Sequence, residues 1–233
     1  MMDDPIRISR SKIELFTNCP RCFWLDQVKG VKRPSFPAFT LNSAVDRLLK
    51  QEFNILRVRG EQHPLQKKYK IDAIPVSHEK LEDWTQNFKG VQYLHKPSNL
   101  LIFGAIDDLW INSKGEFIVV DYKATSREGQ ITKLDDTRWH AAYRRQMEVY
   151  QWLLRKNGLK VSDIGYFVYC NGLKDKKAFD GKLEFDVTLI SNRGDDSWVE
   201  KTIQDIKKSL RGKIPEVNQN CEYCSYVQSA SEE

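Results

Sequence analysis

The chain has 233 residues, 40% hydrophobic and 30% charged, with enough Trp, Tyr and Phe for a substantial core and a mean hydropathy of −0.58. That balance argues for a soluble protein. No apolar run approaches the roughly 18 residues a membrane span needs, and the N-terminus MMDDPIRISRSK lacks a signal-peptide core, so a cytoplasmic protein without membrane attachment is the expectation. The net charge of +5 permits nucleic-acid binding without requiring it, and the basic clusters at 29–33, 67–68 and 144–145 read first as solvated surface.

Ser11-Lys12-Ile13-Glu14 has capping-box spacing and predicts a short helix through Phe16. Pro20 disfavours helical geometry at Cys19, so the chain turns there before CPRCFWLDQVKG runs on to Gly30. A loop with Pro34 and Pro37 leads into a second helix, on which Leu41, Val45, Leu48, Leu49, Phe53 and Leu56 form a stripe with Asp46 beside it. Residues 60–76 read as loop. LEDWTQNF predicts a short helix, and VQYL, LIFGAIDDLWI and EFIVVDYKAT predict three antiparallel strands in a meander. After a polar loop, TRWHAAYRRQMEVYQWLLRKNG is the clearest helix, with Tyr143, Gln146, Met147, Tyr150, Leu153 and Leu154 on one face and Gly158 as its stop. DIGYFVYC and KLEFDVTLI are further strands. Ser197-Trp198-Val199-Glu200 is a second capping box, opening a helix closed by Gly212 and Pro215, and the tail frays beyond Val227. The order of elements predicts an α/β fold, one central mixed β-sheet flanked by helices.

The stretch Leu101–Thr125 carries acids inside apolar segments, where a carboxylate is costly unless paired, hydrogen-bonded or bound to a cation. Asp107 sits among Phe103, Ala105, Leu109 and Ile111, and Asp121 follows Phe117, Val119 and Val120. On a strand, Asp121 and Lys123 share a face, roughly 7 Å apart at Cα. Two acids and an amine in one pocket suit a hard divalent ion such as Mg²⁺ or Mn²⁺ and phosphodiester hydrolysis. A surface ion pair between Asp121 and Lys123 explains the spacing equally well. Asp108 competes with Asp107 as the first acid. The cysteines fall as Cys19-x-x-Cys22 and Cys221-x-x-Cys224, with Cys170 alone in an apolar run and most simply a core residue.

Gly104-x-x-Asp107, followed 14 positions later by Asp121-Tyr122-Lys123, resembles the PD-(D/E)XK nuclease superfamily (121 − 107 = 14). Its RecB-like branch, which includes CRISPR-associated and AddB-type nucleases, is the nearest resemblance. Ser9-x-Ser11 through Phe16, Cys19-Pro20 and Phe23-Trp24-Leu25 looks like that branch's N-terminal signature, Gln146-x-x-x-Tyr150 like its helix motif, and Cys221-Glu222-Tyr223-Cys224 like the start of its cysteine cluster. The resemblance spans nearly the whole chain, and order and spacing carry it, since a D-x-K alone occurs often by chance.

The resemblance implies a restriction-endonuclease-like core in a single domain over 1–233, with the two Cys-x-x-Cys segments meeting in a small metal-binding appendage. It implies a divalent-metal-dependent deoxyribonuclease in DNA repair, recombination or defence. Asp107, Asp121 and the Tyr122 backbone carbonyl would ligate the metal, Lys123 would position water and stabilise the transition state, and Gln146 and Tyr150 would lie beside the pocket. The branch's usual histidine ligand is replaced by Asp46, read either as a metal ligand or as an ordinary exposed acid. Cys19, Cys22, Cys221 and Cys224 would hold a 4Fe–4S cluster, whereas their two-plus-two pattern equally suits structural zinc. Arg144 and Arg145 are candidates for tracking the DNA backbone, and Trp139 and Tyr143 for stacking bases or for packing. Partners would be DNA and a separate helicase, repair or CRISPR protein. The competing functions are a catalytically silent DNA-binding subunit and a zinc-stabilised interaction module.

Overall fold

The computed structural model describes residues 4–35 and 39–231; Pro37 and the last two residues of the polar tail lie outside them. The chain opens with β1 (Ile6–Ser9) and α1 (Arg10–Asn18). Ser9, not Ser11, caps α1: it ends the strand in extended backbone, and its hydroxyl accepts from the Lys12 N–H. The Ser11 hydroxyl pairs with that of Ser9 at 2.8 Å instead. Cys19 ends α1 at φ −160°, ψ 101°, and Pro20 opens α2 (Pro20–Lys29), which stops at Gly30 with φ 71°.

The long helix α3 (Thr40–Arg59) buries Leu49 and Phe53, but Leu41 and Leu48 are 59% and 63% exposed, so its apolar stripe is narrower than its sequence suggests. Within 60–76, read as loop, lie α4 (Pro64–Lys68) and the two-residue strand β2 (Ile74–Pro75). His63 caps α4. Its imidazole accepts from the Leu65 N–H while Gln66 accepts from the His63 N–H, an imidazole version of a motif normally read from Ser or Thr. Next come α5 (Leu81–Trp84), β3 (Val91–His95), β4 (Leu100–Gly104), β5 (Asp108–Ile111), β6 (Phe117–Thr125), α6 (Arg138–Lys156), β7 (Ile164–Gly172), β8 (Phe185–Arg193), α7 (Ser197–Arg211) and α8 (Glu222–Ala230). Ser197 is the first helical residue of α7 rather than its cap, since Asp195 takes its N–H, and Glu200 turns to Lys156 and Trp152. The terminal helix α8 continues past Val227 to Ala230.

The architecture is α/β with mixed sheets flanked by helices, but the expected single sheet is two. A three-stranded sheet has the order β1-β4-β3 and a five-stranded one β2-β5-β6-β7-β8. The segment read as one strand, LIFGAIDDLWI, is therefore β4 in one sheet and β5 in the other, and the meander divides there. Ala105, Ile106 and Asp107 make the crossing, with Ile106 fully buried and its N–H donated to the Trp84 carbonyl. Alternation of apolar residues is the same in both strands, so nothing in the pattern marks the change of sheet.

The five-stranded sheet is covered on both faces. Ile118, Val120 and Tyr122 of β6 pack with Trp110, Leu49 and Phe53 on the α3 side. Val119 faces the other core, with Leu109, Met147, Tyr150 and Leu153. Period-two alternation then directs Asp121 and Lys123 to the α6 side. Each fully buried Leu, Ile or Met here contributes about 1.5–3 kcal/mol.

Candidate active site

The same alternation sorts the two neighbouring acids. Asp108, in register with Val120, points to the α3 side with Trp110. It is ion-paired with Arg57 and accepts from the Tyr122 hydroxyl at 2.8 Å, the Leu109 N–H at 2.8 Å and the Trp110 indole at 3.3 Å. That saturates a buried carboxylate and makes it a structural charge. Asp107 precedes the strand and lies on the α6 side, with Oδ2 accepting the Tyr122 N–H at 2.8 Å. This bond exists because β5 pairs with β6 only as far as Val120, which frees the backbone of Tyr122 on that edge.

Asp121 is fully buried and ion-paired with Lys123, and beyond that contact neither of its oxygens accepts a hydrogen bond. Lys123 donates to Gln146 Oε1 at 3.2 Å and lies 4.4 Å from the centre of the Tyr143 ring, while Gln146 donates to the Tyr150 hydroxyl at 3.1 Å. The i,i+4 spacing of Gln146 and Tyr150 on α6 produces that relay. Gly104 makes room for it: a Cβ there would stand 2.7 Å from Tyr150 Cε1 and 3.2 Å from Arg10 Cβ.

On the opposite wall, Lys50 of α3 bridges two acids, 3.0 Å from Asp46 Oδ2 and 3.8 Å from Asp107 Oδ1. Sequence reading missed Lys50, although its position four after Asp46 placed it within reach. Two clefts of about 670 and 610 Å³ meet at Asp46 and Asp107. Arg47, Asn54 and His78 line the first, and Asn42, Lys123, Tyr143 and Gln146 the second.

The electrostatics are those of crowded acids. Burial, then repulsion from Asp121, raises Asp107 to about 6, against the pull of Lys123, Lys50 and the Tyr122 N–H. Burial and Asp107 raise Asp46 despite Lys50. Burial disfavours the Lys123 ammonium, but Asp121 and Asp107 outweigh it and its pKa rises; Lys50 behaves likewise between Asp107 and Asp46.

These residues fit a divalent cation. A dry carboxylate lacks hydrogen-bond donors, a second is strained toward protonation, and two ammoniums are drawn in to neutralise them. Among the described residues, the oxygens of Asp46, Asp107 and Asp121 do not form a set lying wholly within 4.8 Å of one another, and Asp46 bonds Lys50. The four cysteines do form such a set, all buried, with Cys19 at the α1–α2 turn and Cys221 capping α8. Cys170 is a buried core residue.

The two arginines singled out from sequence are engaged within the chain. Arg145 makes a two-pronged pair with Glu14 at 2.7 and 2.9 Å, and Arg144 donates to the carbonyls of Leu134 and Asp135. Trp139 is 73% exposed, whereas Tyr143 packs under Lys123.

A twisted mixed sheet flanked by helices, with two acids and a lysine brought together where one strand ends short of its neighbour, defines a restriction-endonuclease-like fold. The family model described as PD-(D/E)XK nuclease superfamily matches residues 7–229, and the chain belongs to that superfamily. No curated protein matches it. One solved structure, that of SSO0001, covers 98% of this chain and 86% of its own with 15% identity and a TM-score of 0.43, a likeness too low to carry an argument. Among the described residues, no helix is long and apolar enough to cross a membrane.

Proposed function

We propose that the chain is a divalent-metal-dependent deoxyribonuclease of the RecB-like kind, formed as one nuclease domain, that hydrolyses phosphodiester bonds with water as nucleophile. The observation that carries this reading is the Asp107–Asp121–Lys123 group. Its buried Asp121 oxygens lack donors, and its one opening is the junction of two polar clefts.

Asp107, Asp121 and the Tyr122 carbonyl would hold the metal, Mg²⁺ by preference, with Asp46 joining once Lys50 swings away. A metal bound there supplies Lewis-acid polarisation of the phosphate and acidifies a coordinated water. Lys123, kept an ammonium by its acids, stabilises charge developing on the phosphate oxygens and does not serve as the base. Gln146 fixes the Lys123 side chain, and Tyr150 fixes Gln146. Lys50 and Arg47, on the cleft walls, neutralise the phosphates of an incoming strand. Arg144 can add a contact where the strand passes α6, and Arg145 can do so only by leaving Glu14. The resemblance to RecB-like nucleases supports a role in DNA repair, recombination or defence, with a helicase or CRISPR protein as partner, in the cytoplasm.

One observation favours the silent-subunit alternative: the pairs Asp121–Lys123 and Asp46–Lys50 neutralise the acids without a metal. Labelled single- and double-stranded DNA incubated with Mg²⁺, Mn²⁺ or EDTA separates the two. Cleavage in metal and none in EDTA is expected; binding without cleavage under every condition refutes the nuclease reading.

A further inference from the structure

The resemblance to iron–sulfur nucleases implies that the cysteines carry a four-iron cluster, and their geometry disagrees. We propose that Cys19, Cys22, Cys221 and Cys224 hold a single tetrahedral zinc ion that clamps the two ends of the chain together. This stands apart from the nuclease reading, because none of its residues belongs to the acid site.

The sulfur spacing carries the assignment. Four thiolates about 2.3 Å from one zinc form a tetrahedron with edges of about 3.8 Å. The observed separations are 3.6 Å for Cys19–Cys224, 3.7 Å for Cys22–Cys221 and 3.8 Å for Cys22–Cys224, and all four sulfurs lie within 4.8 Å of one another. These distances are far too long for disulfides, whose sulfurs stand about 2.05 Å apart. They are also too short for a cuboidal cluster, in which each thiolate binds its own iron at a separate corner and the enclosed space must admit four irons and four sulfides.

Expansion to admit such a cluster is opposed by the surrounding links. The Trp24 indole N–H donates to the Gly212 carbonyl at 3.1 Å, Arg21 to the Pro215 carbonyl at 2.8 Å, and the Asn218 amide to the Asn18 carbonyl at 3.1 Å. All three join the N-terminal helices to the segment leading into α8, so parting the two Cys-x-x-Cys turns breaks them. The ligand set is also all-sulfur and buried, which suits a soft tetrahedral ion.

The neighbours complete a zinc-thiolate shell. Four thiolates around Zn²⁺ leave a net negative charge in a dry site, and donors are present to offset it. Arg33 Nη2 donates to Cys221 Sγ at 3.1 Å while its guanidinium stacks 4.5 Å from the Tyr223 ring centre, and the Cys22 N–H donates to Cys19 Sγ at 3.4 Å. Arg33 is thus a positioning residue for the thiolates.

The test uses the full chain, expressed with iron and zinc both supplied and purified without oxygen. Zinc, iron and acid-labile sulfide are measured before and after an anaerobic challenge with ferrous iron and sulfide. About one zinc per chain, exceeding iron by roughly ten-fold both before and after the challenge in a colourless protein, is the expected result. Exchange with Co²⁺ should give the intense visible bands of tetrahedral thiolate coordination. Arg33→Ala should weaken zinc retention against a chelator by roughly ten-fold or more while leaving the stoichiometry unchanged. A brown protein with iron and sulfide in equal amounts, one iron without sulfide, or no metal at all overturns the assignment. Because wild type alone gives the stoichiometry, failure of a cysteine variant to fold leaves the test intact, and DNA cleavage plays no part in the outcome.

Discussion

Asp107→Asn should stabilise the metal-free protein. Burial and Asp121 raise the Asp107 carboxyl from 3.8 to about 6, a displacement equivalent to about 3 kcal/mol against the charged form. Its side chain is 24% exposed to the cleft, so water screens part of that and about 2 kcal/mol is a fair magnitude. The folded carboxyl holds its proton more tightly than the unfolded one. The stabilisation from neutral Asp107 is therefore fully present below the unfolded pKa of 3.8 and is lost as pH rises through about 6. Asparagine is neutral throughout and does not suffer this loss. Melting curves in EDTA across pH should then show near-equal Tm values at about pH 4, and a variant more stable by about 4–8 °C above about pH 7. Mg²⁺ should raise the Tm of wild type more than that of the variant. A Tm difference that does not change with pH, or an asparagine variant less stable than wild type at alkaline pH, refutes the reasoning that crowded burial strains this acid.

Arg57→Met leaves Asp108 buried without its cation and should cost about 3–5 kcal/mol in urea unfolding, marking Asp108 as structural. Gly104→Ala forces the Tyr150 ring aside and should cost about 1–3 kcal/mol. It should also slow cleavage through the disturbed Gln146–Lys123 contact, with Km changing less than kcat. A double-mutant cycle on Glu14 and Arg145 should return a coupling of about 1 kcal/mol; a value near zero together with a large loss of DNA affinity in Arg145→Ala would make that arginine a DNA contact instead.

Much of this was legible in residue order, and the failures have physical causes. Asp121 and Lys123 share a strand face because alternation has period two, and Gln146 and Tyr150 share a helix face because they are four apart; both facts are local. The choice of Asp107 over Asp108 rested on resemblance, and the structure supplies its reason: strand β5 begins at Asp108 and turns that side chain toward Arg57. Arg57 and Lys50 come from α3, far away in sequence, and no local pattern announces a partner across the fold. The division of the meander into two sheets was invisible because Ile106 is as apolar as its strand neighbours. The capping boxes at Ser11 and Ser197 misled by one or two residues, because the cap goes to whichever residue leaves extended geometry first. The cysteine pairs announced themselves by spacing, but the edge lengths that argue for one ion over a cluster exist only once both chain ends have met.

The most direct test of the proposed hydrolytic site is single-turnover cleavage by Lys123→Ala in Mg²⁺, beside DNA affinity measured in Ca²⁺. Removing an ammonium that stabilises developing phosphate charge should slow cleavage by roughly 10²–10³-fold. Affinity, which depends chiefly on the cleft lysine and arginines, should change by less than about ten-fold. Wild-type rates in Lys123→Ala, or the same activity in both proteins with EDTA present, would contradict the assignment of Asp107, Asp121 and Lys123 as the centre of the chemistry.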